Sequence, residues 1–153
     1  MKKCLNFILL CFVSGCSSKA PTLGVSNGSL KECPSSPNCV CSQSESKEHL
    51  IEPIEAKVSL AKAREILLNV MADAERANTT VEQENYIRAE FSSRLIGFVD
   101  DVEFYLTGGN GKNTIIHVRS ASRTGYSDLG VNRKRIESIR QKVNLLASKE
   151  HSL

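Results

Sequence analysis

An α+β fold is predicted for this chain: a small antiparallel sheet with two amphipathic helices packed on one face. Three observations predict it. In three runs between Tyr86 and Ser120, apolar residues recur at every second position, the period of a half-buried strand. Before and after them, from Ser59 and from Asn132, the spacing changes to three and four, the period of a helix that buries one face. A glycine-rich segment, Thr107-Gly108-Gly109-Asn110-Gly111-Lys112, separates the second and third runs and reads as a hairpin turn, which makes that pair antiparallel.

The 153 residues open with Met1-Lys2-Lys3, followed by a short apolar run from Leu5 to Val13 and small residues leading into Cys16. A basic start, an apolar centre and a small-residue exit make an export signal. The run is too short to cross a bilayer as a helix. Two readings of Cys16 follow, a bystander beside an ordinary cleavage site or the acylated first residue of a lipoprotein. Val13-Ser14-Gly15-Cys16 resembles a bacterial lipobox, which favours the second. That resemblance implies a signal peptide over 1–15, palmitate-type acyl chains on Cys16 and a place in the cell envelope. Ser17, where an aspartate would resemble an inner-membrane retention signal, implies the periplasmic face of the outer membrane. Each buried acyl methylene contributes roughly 0.8 kcal/mol, so several chains anchor stably.

Residues 16–31 read as the lipidated cysteine and a flexible tether, being small, polar and without period. A single globular domain is expected over 32–148, large enough to bury a core, with a tail over 149–153. Once Lys2 and Lys3 leave with the signal peptide, eighteen of the twenty basic residues face seventeen acids. Near-neutral charge gives no support to nucleic acid as a partner. Charge is uneven, however, with eight basic and two acidic residues between Lys112 and Lys142.

Export places Cys33, Cys39 and Cys41 in an oxidising compartment, where a disulfide is expected. Pro34, Pro37 and Asn38 turn the chain between the first two, so Cys33–Cys39 is the favoured bridge and Cys33–Cys41 the alternative. Zinc competes poorly, since spacings of six and two with no nearby histidine pair do not resemble a zinc site. His49 to Ile54 reads as a short edge strand, the place where Pro53 is tolerated. Ser59 caps a first helix along Leu60, Ala63, Leu67, Val70, Met71 and Ala74, with Asn78 as its stop.

The strand runs follow. Ile87, Ala89 and Phe91 share one side, with Tyr86, Arg88 and Glu90 on the other. In the next run Asp100 lies with Phe98, Val102, Phe104 and Leu106, whereas Val99, Asp101, Glu103 and Tyr105 face away. The third has Thr114, Ile116, Val118 and Ser120 on one face against Ile115, His117 and Arg119. Charge pairing favours a register with Asp101 opposite Arg119, Glu103 opposite His117 and Tyr105 opposite Ile115, each ionic pair stabilising by roughly 0.2–1 kcal/mol. Asn132 is expected to cap a last helix that buries Ile136, Ile139, Val143 and Leu146. Its first turn holds Arg133, Lys134 and Arg135, which the helix dipole disfavours, so Asp128 or an anionic partner must offset them.

Between the third strand and this helix runs Arg119-Ser-Ala-Ser-Arg-Thr-Gly-Tyr-Ser-Asp-Leu-Gly-Val-Asn-Arg-Lys-Arg135, with five basic side chains, one acid, three serines and two glycines. It reads as a formed surface. Together with Cys33-Pro-Ser-Ser-Pro-Asn-Cys-Val and Val99-Asp-Asp-Val-Glu-Phe, this segment resembles the domain-of-unknown-function 1499 family over roughly Cys33 to Leu146. Cys41 departs from that pattern, where the family usually shows serine. The family has no assigned activity, so the resemblance implies no chemistry.

The candidate charge network comprises Asp100, Asp101, Glu103, His117, Arg119, Arg123, Asp128, Asn132, Arg133 and Arg135. A non-enzymatic binding module is expected, taking an anionic ligand or an envelope protein through the Arg119–Arg135 turn, where helix amides and guanidinium groups suit an anion. A second reading is a hydrolase with Asp101 or Glu103 and His117 as acid and base, and Ser120, Ser122 or Ser127 as nucleophile. A third is a purely structural brace, with Asp100, among core-facing residues, met by an arginine fork from the later turn. The sequence lacks a Gly-x-Ser-x-Gly elbow, a His-Glu-x-x-His pair and a phosphate-cradling glycine loop, and no cofactor or metal is expected.

Overall fold

In the computed structural model, residues 21–93, 97–108, 111 and 113–150 are described. The export signal, Cys16 and part of the 107–112 turn lie outside them. Six strands and two helices follow in the order β1 (Cys39–Cys41), β2 (Ile54–Ala56), α1 (Leu60–Ala72), β3 (Ala77–Glu82), β4 (Tyr86–Ser92), β5 (Val99–Gly108), β6 (Thr114–Ser122) and α2 (Val131–Glu150). All pairings are antiparallel, in the order β1-β6-β5-β4-β3. The outer edge of β6 is shared: β1 pairs with Arg119–Ala121 and β2 with Thr114–Ile116.

Both helices pack on one face, the expected arrangement. Ile87, Ala89, Val102, Phe104, Ile116 and Val118 form its floor. Ala63, Ile66, Leu67, Val70 and Met71 of α1 close over them, with Ile136, Ile139, Val143 and Ala147 of α2. Each fully buried aliphatic or aromatic side chain contributes roughly 1.5–3 kcal/mol. Ser59 caps α1 by accepting from the Lys62 amide at 3.3 Å.

Several expectations need correction. Helix α1 stops at Asp73, whose amide bonds back to Asn69, and Asn78 lies in β3. The β3 edge strand was not foreseen, because its mostly exposed Ala-Asn-Thr-Thr-Val-Glu has no apolar alternation. The early edge strand lies just beyond Pro53, at Ile54–Ala56, rather than before it. Helix α2 runs to Glu150, into the stretch read as a tail.

The β5–β6 register is shifted by two residues. Glu103 faces Arg119, Tyr105 faces His117 and Asp101 faces Ala121. A shift of two keeps every side chain on its face, so hydrophobic alternation cannot choose between the registers. The observed one gives buried Glu103 an arginine directly opposite, while Asp101 is met by arginines from outside this strand pair.

The sheet's reverse face is covered by the segment read as a tether. The Arg88 guanidinium donates to the Pro21 carbonyl at 3.4 Å, and the Gly24 amide donates to Glu103 Oε1 at 3.0 Å. After a tight turn at Asn27-Gly28, Leu30 is buried against Cys41 and Tyr86. Cys33 and Cys39 are joined, as favoured, with their Cα atoms 5.7 Å apart, and Cys41 is a buried free thiol.

Candidate functional site

Period two divides the expected charge network between the two faces of the sheet. On the helix side, Asp100 of β5 meets Arg135 of α2, with Nη2 donating to Oδ2 at 2.5 Å. The same guanidinium lies over the Phe91 ring, 4.8 Å from its centroid. An arginine fork from the later segment was expected for Asp100; Arg135 supplies the arginine but only one bond, its other terminal nitrogen donating to Asn132 and Ser120.

At the centre of this cluster is Asn132. It lies inside the first turn of α2 and is fully buried, so it is not the cap expected of it. Its Oδ1 accepts from Ser120 Oγ at 2.5 Å and Arg135 Nη1 at 2.6 Å. Its Nδ2 donates to the Asn38 carbonyl at 3.0 Å and to Ser122 Oγ at 3.1 Å. An amide has two acceptor and two donor positions, and all four are filled. Asn132 therefore joins α2 to β6 and to the disulfide loop.

On the reverse face, Asp101 takes two arginines. Arg123 Nε and Nη2 grip its two oxygens, each at 2.8 Å, and Arg88 reaches Oδ1 at 2.5 Å. Arg123 also donates to Glu90. Burial pushes the Asp101 carboxyl up, but hydrogen bonds from Arg123 and Arg88 outweigh it and hold the group below its usual range. Hydrogen bonding to Asp101 raises the already high pKa of Arg123 further.

Beside this quartet, buried Glu103 accepts from Arg119 at 3.2 Å, from the Tyr86 hydroxyl at 2.8 Å and from the Gly24 amide. Burial and the neighbouring Glu103 carboxylate keep the Tyr86 hydroxyl protonated. Arg119 Nε is the one buried side-chain nitrogen among the described residues without a hydrogen-bond partner. Three arginines and three carboxylates meet on this face, so their charges balance.

Between the two clusters runs the loop from β6 to α2. The Arg123 amide donates to the Val99 carbonyl at 3.0 Å, and Asn38 Nδ2 donates to the Gly125 carbonyl at 2.6 Å. At the far end the Asp128 carboxylate accepts from the amides of Gly130 at 2.9 Å and Asn132 at 2.7 Å. Asp128, not Asn132, is thus the anion at the helix N-terminus, and it offsets the basic first turn. Between these fixed points Tyr126 and Leu129 are 76% and 87% exposed. Leu129 holds φ at 54°, a left-handed conformation that strains a leucine.

The remaining expected residues are dispersed. Arg133 donates to the Glu48 carbonyl at 3.1 Å. His117 stacks on Tyr105 with ring centroids 6.1 Å apart, its Nδ1 lies 3.5 Å from Ser42 Oγ, and burial lowers its pKa. Ser120 is on the opposite face from His117, and Ser127 is exposed, accepting from the Leu129 amide. Asp101 and Glu103 are held by arginines. The acid, base and nucleophile of the hydrolase reading are not brought together. A cleft of about 440 Å³ on the reverse face is lined by Tyr86, Arg88 and Tyr105 among others, but includes neither His117 nor a serine. Among the described residues no group of three or more histidine, cysteine or acidic side chains is gathered as a metal would need.

Sequence reasoning left out Arg88, Glu90, Tyr86 and Asn38. The first three were visible as the polar side of an alternating strand, on the face that also carries Asp101 and Glu103. Asn38 gave no comparable sign, since only the fold brings the disulfide loop to α2.

Residues 29–143 match the family described as "Protein of unknown function (DUF1499)", and the chain belongs to that family. The match spans the disulfide loop, the whole sheet, both charge clusters and most of α2. No curated protein matches the chain.

Proposed function

We propose that this protein is a lipid-anchored binding module of the bacterial cell envelope, held through Cys16 and making its contact through the loop inside Arg119–Arg135. One observation carries the binding reading. The loop is fixed at both ends by buried polar bonds, yet Tyr126 and Leu129 at its tip face solvent. A segment so fixed loses little conformational entropy on contact, which favours recognition. Exposed aromatic and aliphatic side chains at such a tip suit an apolar or amphipathic acceptor.

Arginine then has a different part from the one its abundance suggests. Arg119, Arg123 and Arg135 are each paired with a carboxylate, and Asp128 occupies the helix amides that an anion would use. The guanidinium groups form the frame and the apolar tip makes the contact. The lipobox-like Val13–Cys16 supports the anchor.

Two measurements on the full-length protein in intact bacteria test this. Cys16→Ser should move the protein from the membrane fraction to the soluble periplasmic one; unchanged fractionation would remove the anchor. A photoreactive side chain at position 126 or 129 should give discrete adducts that are absent from position 115 or 145. Matching patterns at all four positions would remove the loop as contact surface.

A further inference from the structure

The loop is not the only apolar projection at its end of the sheet. Strand β5 starts there and β6 finishes there, so Gly97 and Phe98, just before β5, and the β6–α2 loop lie side by side. Phe98 is 47% exposed, and Val131, at the start of α2, is 46% exposed. With Tyr126 and Leu129, they are four of the eight large hydrophobic side chains exposed among the described residues. Ile115 lies at the other end of β6, and Leu145 well along α2 from its start. Half of the exposed apolar groups thus gather at one end, with exposed Lys134 close by.

The amino-terminal segment leads to the same end. Gly24 is bonded at Glu103, and Pro21 at the guanidinium that grips Asp101. Asp101 is two residues nearer the start of β5, so from Gly24 back to Pro21 the segment advances toward that start. Five residue steps separate Pro21 from Cys16. Fully extended, they reach at most about 18 Å. A domain of this size has a radius of gyration of about 14 Å, so that reach is well short of its diameter. Had the chain been free to residue 31, the span would be three times longer and the orientation unconstrained.

We infer that Phe98, Tyr126 and Leu129 insert into the interfacial layer of the bilayer that holds Cys16, so that the domain stands on its membrane in one orientation. The inference rests on the lipid anchor and names the acceptor of the loop proposed above. Aromatic rings are favoured at the headgroup level, aliphatic tips just below it, and basic side chains such as Lys134 beside anionic headgroups. Acyl chains hold the domain at the surface, so the loop needs only modest affinity of its own.

The full chain, purified in its processed form and reconstituted into phosphatidylethanolamine–phosphatidylglycerol vesicles, gives the test. Single Tyr126→Cys, Leu129→Cys, Ile115→Cys and Leu145→Cys variants carry an environment-sensitive fluorophore, and lipids spin-labelled near the headgroup act as quenchers. Cys41 is buried and Cys33 and Cys39 are joined, so the introduced thiol is the one labelled. Labels at 126 and 129 should be quenched about threefold more than those at 115 and 145, as expected for a tip at interfacial depth. Equal, weak quenching at all four positions in protein that floats with the vesicles overturns the insertion and leaves the anchor standing. An intact mass without acyl chains on Cys16, together with failure to float, overturns the anchor and the inference with it. Burial of the 126 and 129 labels without lipid quenching identifies a second copy of this chain as the acceptor and overturns the insertion alone.

Discussion

Arg123 shows how a residue that looks like a ligand-binding group becomes part of the frame. Its side chain is 8% exposed and grips both oxygens of Asp101, itself almost fully buried. Removing one partner of a buried pair leaves a charge without compensation, so Arg123→Ala should cost about 3 kcal/mol, read from urea unfolding. Arg88 still holds one Asp101 oxygen, which keeps the figure from going higher. Lysine should not restore the loss, because it lacks the planar fork. Leu129 is the opposite case: exposed, strained and without structural need. Leu129→Asn should raise stability by about 0.5–1 kcal/mol, since asparagine tolerates the left-handed region. A drop in the unfolding midpoint would mean that the leucine packs against something the free protein already holds. At this scale the sequence showed which residues carry charge, and correctly promised Asp100 an arginine. The pairings it favoured, Asp101 with Arg119 and Glu103 with His117, are not those formed, because charge pattern alone cannot say which oppositely charged groups meet.

Between elements, Asn132 is the joint whose loss should be felt furthest. Asn132→Ala removes four hydrogen bonds, to the Ser120 and Ser122 hydroxyls, an Arg135 nitrogen and the Asn38 carbonyl, although Arg135 still donates to Ser120 and the Ser122 amide to Asn38. Each such hydrogen bond contributes about 0.5–1.5 kcal/mol net, so a loss of about 3 kcal/mol is expected in thermal or urea unfolding. An effect of a few tenths, the size expected for an exposed polar position, would contradict the hub described above. Two helices and the three long strands were legible because period 3.6 and period two are strong signals in Leu60–Ala72, Tyr86–Ser92 and Thr114–Ser122. Edge strand β3 was not, since a strand that buries little has no pattern to show. Register was half legible: alternation fixed the faces, and a two-residue shift lay beyond its reach.

For the whole molecule, acid sensitivity follows from two groups on the reverse face. His117 has a folded pKa below its ordinary 6.5, because burial disfavours its charged form. As pH falls below that value the unfolded chain takes up the proton first, so stability declines from about pH 6.5 downward. Asp101 also has a depressed folded pKa, and its contribution, present above the ordinary value of 3.8, is lost as pH falls through the folded one. Urea midpoints across pH should therefore show an early decline that His117→Gln removes and a later, acid one that it leaves. If both declines survive the substitution, another group governs the first.

The segment 21–31 shows where local reading stops at this scale. Its composition is that of a spacer, and nothing within it calls for order. Its order comes from outside it: Glu103 and Arg88 on the reverse face offer buried partners to its backbone, and Cys41 and Tyr86 offer a cover for Leu30. By itself the sequence determined the α+β class, the helix side of the sheet, the face on which each residue of the three long strands lies and the favoured disulfide, because each follows from local periodicity or turn chemistry. Tertiary structure alone decided which carboxylate meets which guanidinium, that Asn132 is a hub and Asp128 the cap, and that the presumed spacer covers a sheet face, since each depends on groups distant in sequence satisfying one another away from water.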